Sequence, residues 1–187
     1  MCTRLGRLAL ILAAALAFTL PSPVAAAPGV AHLAATAGDE RPLSLSIWYP
    51  SGAPATGQVG GTAVFEGTEA ALDAQGPDGA HPLVLLSHGG LRSAPDTGAW
   101  LAAALAEAGM LVAEINAPRP ETAGAAMNEI WQRPRDIRRA LDLILQDPAW
   151  AGRVDPGRIA VVGFALGGTA ALSVSGAVLD ADAYARA

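Results

Sequence analysis

Ile159-Ala160-Val161-Val162-Gly163-Phe164-Ala165-Leu166-Gly167-Gly168 is the stretch that decides the fold. A β-branched apolar run leads into a glycine-flanked turn, and small residues suited to a helix follow. The reading is a strand, a sharp turn and a helix, with Ala165 at the apex. Gly163 and Gly167 stand two residues to either side of it, where a missing Cβ relieves crowding. The helix is expected over Leu166–Val178, with Gly168 allowing it to pack closely on the strand.

Upstream, Arg133-Pro134 opens another helix. Proline suits a first-turn position, and Asp136 suits the positive end of the helix dipole. Ile137, Ala140, Leu141 and Ile144 recur at i, i+3, i+4 and i+7, a buried stripe, and Asp147-Pro148 ends the helix. Val154-Asp155-Pro156-Gly157 reads as a turn. Before these come a strand at Met110–Asn116 and a Pro-rich loop over 117–124. A helix is expected at Thr97–Ala108, with Leu101, Ala104, Leu105 and Ala108 inward and Gly109 as its stop. Leu83–Leu86 is wholly apolar, as in a strand covered on both faces, and it ends in Ser87-His88-Gly89-Gly90. Leu43–Tyr49 alternates as a half-buried strand. An extended segment is expected at Val30–Thr36, followed by a turn over 37–42. Residues 51–81 form an excursion rich in Gly, Ala, Pro and Thr, with a short strand at Ala63–Phe65. The alternation predicts an α/β domain: a mostly parallel sheet, helices on both faces and right-handed crossovers.

The N-terminus reads differently. Arg4 and Arg7 precede an uncharged run, Leu8–Leu20, and a small-residue stretch ending at Ala26–Ala27. This is the pattern of a secretory signal peptide over 1–26, and the run is short for a membrane span. The remainder, 27–187, is then one domain in the periplasm or outside the cell, with no stable membrane span. It holds no cysteine, because Cys2 is the only one in the chain. Removing Arg4 and Arg7 from 12 basic residues against 17 acidic ones gives a net charge of −7. An acidic domain without a basic stripe argues against nucleic acid. No metal or cofactor is expected.

Chemistry enters through the turn. In the pattern G-x-S-x-G a strand-to-helix turn holds a serine clear of the sheet for nucleophilic attack. Here Ala165 takes the serine's place. The loop Ser87–Gly90 stands where one oxyanion-hole N–H arises, the other coming from the residue after the nucleophile. The candidates are the N–H groups of Gly90 and Leu166. His88 reads as a structural histidine bonded to nearby backbone, and His81 as a solvent-facing loop histidine. Trp131–Asp136 reads as a capped helix start.

Together these stretches resemble the α/β-hydrolase superfamily, and within it bacterial dienelactone-hydrolase-like and platelet-activating-factor-acetylhydrolase-like proteins. The similarity runs through Arg41–Pro50, Pro82–Gly90, Trp100–Ala113, Trp131–Leu145 and Asp155–Leu172. It implies hydrolysis of a small carboxylic ester or lactone by a Ser, Asp or Glu, and His triad in that chain order. The sequence departs from it at Ala165. It also departs because His32, His81 and His88 all precede the elbow, and the chain reads as the N-terminal part of the fold. Asp180 and Asp182 read as a solvated helix end. The chain is therefore expected to be inactive, with Ile159–Val162 as an apolar edge. The alternatives are a non-catalytic binding protein on the same fold, and a dinucleotide-binding domain from Gly163-x-Ala165-x-x-Gly168. The latter lacks the acidic residue after a following strand that such sites use.

Overall fold

In a computed structural model, the structure describes residues 25–34, 41–178, 180, 182–183 and 186. The strands are β1 (Gly29–Ala34), β2 (Ser44–Tyr49), β3 (Gly57–Val59), β4 (Thr68–Leu72), β5 (His81–Ser87), β6 (Leu111–Asn116) and β7 (Val154–Gly163). The helices are α1 (Ala99–Glu107), α2 (Ala123–Glu129), α3 (Arg133–Gln146) and α4 (Leu166–Val174). Most of the signal-peptide reading, residues 1–24, and the turn at 37–40 lie outside the described residues.

One seven-stranded sheet runs in the order β3-β4-β1-β2-β6-β5-β7. β5 pairs in parallel with β6 on one side and with β7 on the other. β2 enters antiparallel to both β1 and β6. β4 runs parallel to β1, and β3 antiparallel to β4. All strands but β2 and β3 thus point the same way.

The wholly apolar run of β5 is explained by its place between two strands and two helical layers. Leu83 and Leu85 face Ile137, Ala140 and Ile144 of α3 and Ala170 of α4. Val84 and Leu86 face Ala99, Ala102, Ala103 and Ala106 of α1 on the opposite side. The stripe expected for α3 is the one observed, with Asp136 buried beside it. The face expected for α1 is wrong. Its buried residues are alanines, and Leu101 and Leu105 are only partly buried. Small side chains bring this helix close to the sheet, which the leucine spacing concealed.

The excursion also differs from expectation. Residues 63–65 are a bend with Val64 and Phe65 exposed, and the hairpin β3–β4 flanks them. Thr68–Leu72, a helix-forming composition, became a strand because β1 supplied a partner, overriding propensity. α2 was not foreseen in the Pro-rich loop; Thr122 caps it by accepting from the Ala125 N–H. Val154–Gly157 is the start of β7 rather than a free turn. Pairing jumps from His81↔Val154 to Leu83↔Ile159, so the extra residues bulge out of the ladder. α4 ends at Val174, one turn before the expected end.

Among the described residues β7 has only β5 as a neighbour. Val162 is 38% exposed, and Phe164 and Leu172 beyond it are more so. An apolar strand with an open edge is a template for association. The 187-residue chain is expected to elute earlier in size-exclusion chromatography as its concentration rises, and Val162→Lys should suppress the shift. Concentration-independent elution of the unmodified chain would refute this.

Candidate functional site

β7 and α4 meet at the elbow. Ala165, the residue capping α4, has φ 50° and ψ −123°. That is a sparsely populated region for a residue with a Cβ, costing about 1–3 kcal/mol. Its carbonyl accepts the helix's Thr169 N–H at 3.2 Å. Leu166 is the first helical residue, so its N–H has no intrahelical carbonyl to reach.

The flanking glycines are dictated by backbone contact. A Cβ on Gly167 would lie 2.0 Å from the Ser87 carbonyl oxygen and 2.8 Å from that of His88. One on Gly163 would lie 2.2 Å from the Gly167 carbonyl oxygen. Gly168 is less constrained, with its nearest neighbour, the Gly163 oxygen, at 3.3 Å. The end of β5 and the start of α4 are therefore pressed together, which sets the loop after β5 over the apex. A Cβ on Gly89 would sit 3.1 Å from Ala165 Cβ and 2.9 Å from the Phe164 ring. Gly167→Ala should cost about 3 kcal/mol or more, because rigid backbone has to move. Chemical unfolding reads this directly, and a change under 1 kcal/mol would show that the two segments do not touch.

His88 is 6% exposed, and its Nδ1 lies 2.8 Å from the Gly89 carbonyl oxygen. Burial holds its pKa below the ordinary histidine value, helped by Arg133 and opposed by the Gly89 bond. It is thus the backbone-bonded histidine the sequence suggested. His81 differs from expectation: it begins β5, partly buried, with its ring nitrogens 3.0 Å from the carbonyl oxygens of Gly109 and Asp78. Exposed His32 on β1 lies 3.2 Å from Ser46 Oγ. Asp180 is exposed and accepts from the Ala183 N–H, and Asp182 is exposed as well.

Trp131–Asp136 proves to be more than a helix start. Arg133 Nη1 donates to the His88 carbonyl at 2.7 Å, and Nη2 donates to the Gly90 carbonyl. Asp136, 2% exposed, is engaged by Arg41, whose Nε and Nη2 both reach it and whose Nη1 donates to Glu129. Burial pulls the Arg41 pKa down, but the two carboxylates outweigh this and raise it above the ordinary value. Ser93 Oγ donates to the Gly89 carbonyl at 2.7 Å. Sequence reasoning missed Arg133 and Ser93. One clue was present: a cation in a helix's first turn opposes the dipole, so Arg133 needed a partner elsewhere. Behind the loop, Arg41, His88, Ser93, Glu129 and Arg133 line a pocket of about 20 Å³, room for about one water.

A second buried polar group holds the approach to α1. Fully buried Glu114 on β6 accepts from the Gly98 N–H at 2.5 Å. Asn116 accepts from the Asp96 N–H and donates to Ser46 Oγ and the Asp96 carboxylate. Burial raises the Glu114 pKa to about 7, with the Gly98 N–H opposing it and Asp96 adding to it. Between pH 4.5 and 7 the folded chain therefore holds a proton that the unfolded chain has released. Stability falls as pH rises through that window and levels off above it. The loss should be about 3 kcal/mol in urea unfolding from pH 4.5 to 7.5, and Glu114→Gln should flatten that segment of the profile. An unchanged slope in the variant would assign the pH dependence elsewhere.

A parallel β5–β6–β7 core entered through antiparallel β2, with a strained elbow after β7 beneath the loop after β5, defines the α/β-hydrolase fold. The chain has that fold. No protein-family model and no curated protein matches it. Among solved structures it is similar to a ferulic acid esterase from Streptomyces cinnamoneus, at 24% identity and a TM-score of 0.62, covering 84% of this chain and 57% of that one. It is also similar to a dienelactone hydrolase-like promiscuous phosphotriesterase from metagenomic libraries, at 16% identity and a TM-score of 0.52, covering 79% and 54%. The chain thus spans a little over half the length of these structures. No helix among the described residues is long and apolar enough to cross a membrane.

Proposed function

We propose that this chain is an exported member of the α/β-hydrolase superfamily, with a site of the kind that hydrolyses a small carboxylic ester or lactone, silent in turnover. The observation that carries the reading is the apex. Ala165 is held at φ 50° beneath Gly89, the posture that presents a nucleophile, yet its side chain ends at Cβ. The N–H groups of Gly90 and Leu166 serve as the oxyanion donors, with Gly89 and His88 shaping the loop and Gly163, Gly167 and Gly168 permitting the turn. Loss of the nucleophile alone removes roughly 10⁶-fold of turnover in a serine hydrolase. His88 belongs to the loop's framework: it is buried, and its Nδ1–H donates to the Gly89 carbonyl.

The purified chain should hydrolyse 4-nitrophenyl acetate no faster than a protein-free control, and a fluorophosphonate probe should leave it unlabelled. Saturable turnover altered by Ala165→Val would overturn the reading. Phenylphosphonate, a non-covalent mimic of the tetrahedral oxyanion, should shift the Gly90 and Leu166 amide resonances; if both stay still, the oxyanion assignment fails. N-terminal sequencing of exported protein should start near Ala27, and an intact N-terminus in the cytoplasm would refute export.

A further inference from the structure

The loop after β5 is two glycines long at its centre, and glycine peptides rotate freely unless something holds them. Three consecutive carbonyls in it are each engaged by a side chain. The His88 and Gly90 carbonyls accept from the two Nη atoms of Arg133. The Gly89 carbonyl, between them, is met by His88 Nδ1 and Ser93 Oγ. A trans peptide is planar, with its C=O and N–H pointing oppositely. Holding a carbonyl therefore fixes the direction of the next residue's N–H. The clamped carbonyls of His88, Gly89 and Gly90 fix the N–H groups of Gly89, Gly90 and Leu91 in turn.

We infer that Arg133 is the positioning residue of the oxyanion loop: its planar fork locks the two peptide planes that flank the Gly89–Gly90 plane. The inference rests on the hydrolase-type reading of the site and deepens it. A guanidinium is suited to the task because it presents several N–H donors in one rigid plane, so two carbonyls two residues apart are held by one group. Its own carboxylate neighbour does not compete. Asp136 is taken by three contacts from Arg41, which leaves the Arg133 fork for the loop. The arrangement ties the segment before β2, the start of α3 and the end of β5 into one support. It also gives a reason for arginine at the helix start where the dipole disfavours it.

The test uses backbone ¹⁵N relaxation on the dilute, monomeric chain. With Arg133 present, the Gly89, Gly90 and Leu91 amides should show order parameters of about 0.85, as for rigid backbone. In Arg133→Ala, Gly89 and Leu91 should fall below about 0.6, while amides of α3 and β7 keep their values. In Ser93→Ala the fall should centre on Gly90 instead. The phenylphosphonate response of Gly90 should weaken roughly tenfold or more in Arg133→Ala, as misplaced donors lose a transition-state-like anion. Unchanged order at Gly89 and Leu91 in Arg133→Ala would overturn the inference, and so would a loss spread evenly through α3 and β7. If the unmodified chain ignores phenylphosphonate, the oxyanion reading fails, and the relaxation data still decide the role of Arg133.

Discussion

The site depends on one steric fact, the close approach of backbone to backbone where α4 begins against the end of β5. Gly163 and Gly167 have no room for a Cβ because carbonyl groups fill the space. The contact forces the chain through a left-handed posture at Ala165, and it brings the loop after β5 over that posture. The sheet supplies the rigidity. β5 is locked between β6 and β7, with α1 on one face and α3 and α4 on the other.

A second, polar layer makes that geometry specific. Arg41, with Arg139 Nη1 at 3.9 Å, pairs the buried Asp136 carboxylate, and Arg133 serves the loop. Replacing Asp136 by a neutral residue would leave Arg41 with the half-exposed Glu129 to offset its repulsion from Arg133, and removing one partner of a buried charge group is costly. On the opposite face, Glu114 and Asn116 hold the residues leading into α1. The end of β6 thus carries buried polar groups that accept backbone N–H groups of the segment between β5 and α1. These are the features that a hydrophobic pattern does not encode.

The legible parts of the sequence were those written in periodicity and glycine spacing. The apolar run of β5, the stripe of α3 and the elbow at Gly163–Gly167 each followed from local rules, and the alternation of elements led to the sheet. The illegible parts were decided by partners distant in sequence. Thr68–Leu72 is a strand because β1 lies beside it, and α1 turns alanine inward because it lies close to the sheet. Arg133 could not be assigned because its acceptors lie over forty residues away, on backbone carbonyls that carry no sequence mark. His81 resembled a loop residue because Pro82 follows it, yet the bulge in β7 gives it a strand partner.

The order of pairing has a consequence for synthesis. One side of β5 finds β6 soon after it is made, with Leu83 opposite Leu111. The other side waits for Ile159, 76 residues further along the chain. At about 5–20 residues per second, the most apolar strand of the sheet stands half-paired for roughly 4–15 s. Parallel pairing across so long an interval is slow to close. That interval, rather than the finished sheet, is when β5 is most open to a wrong partner, and when a holding chaperone would have most to protect.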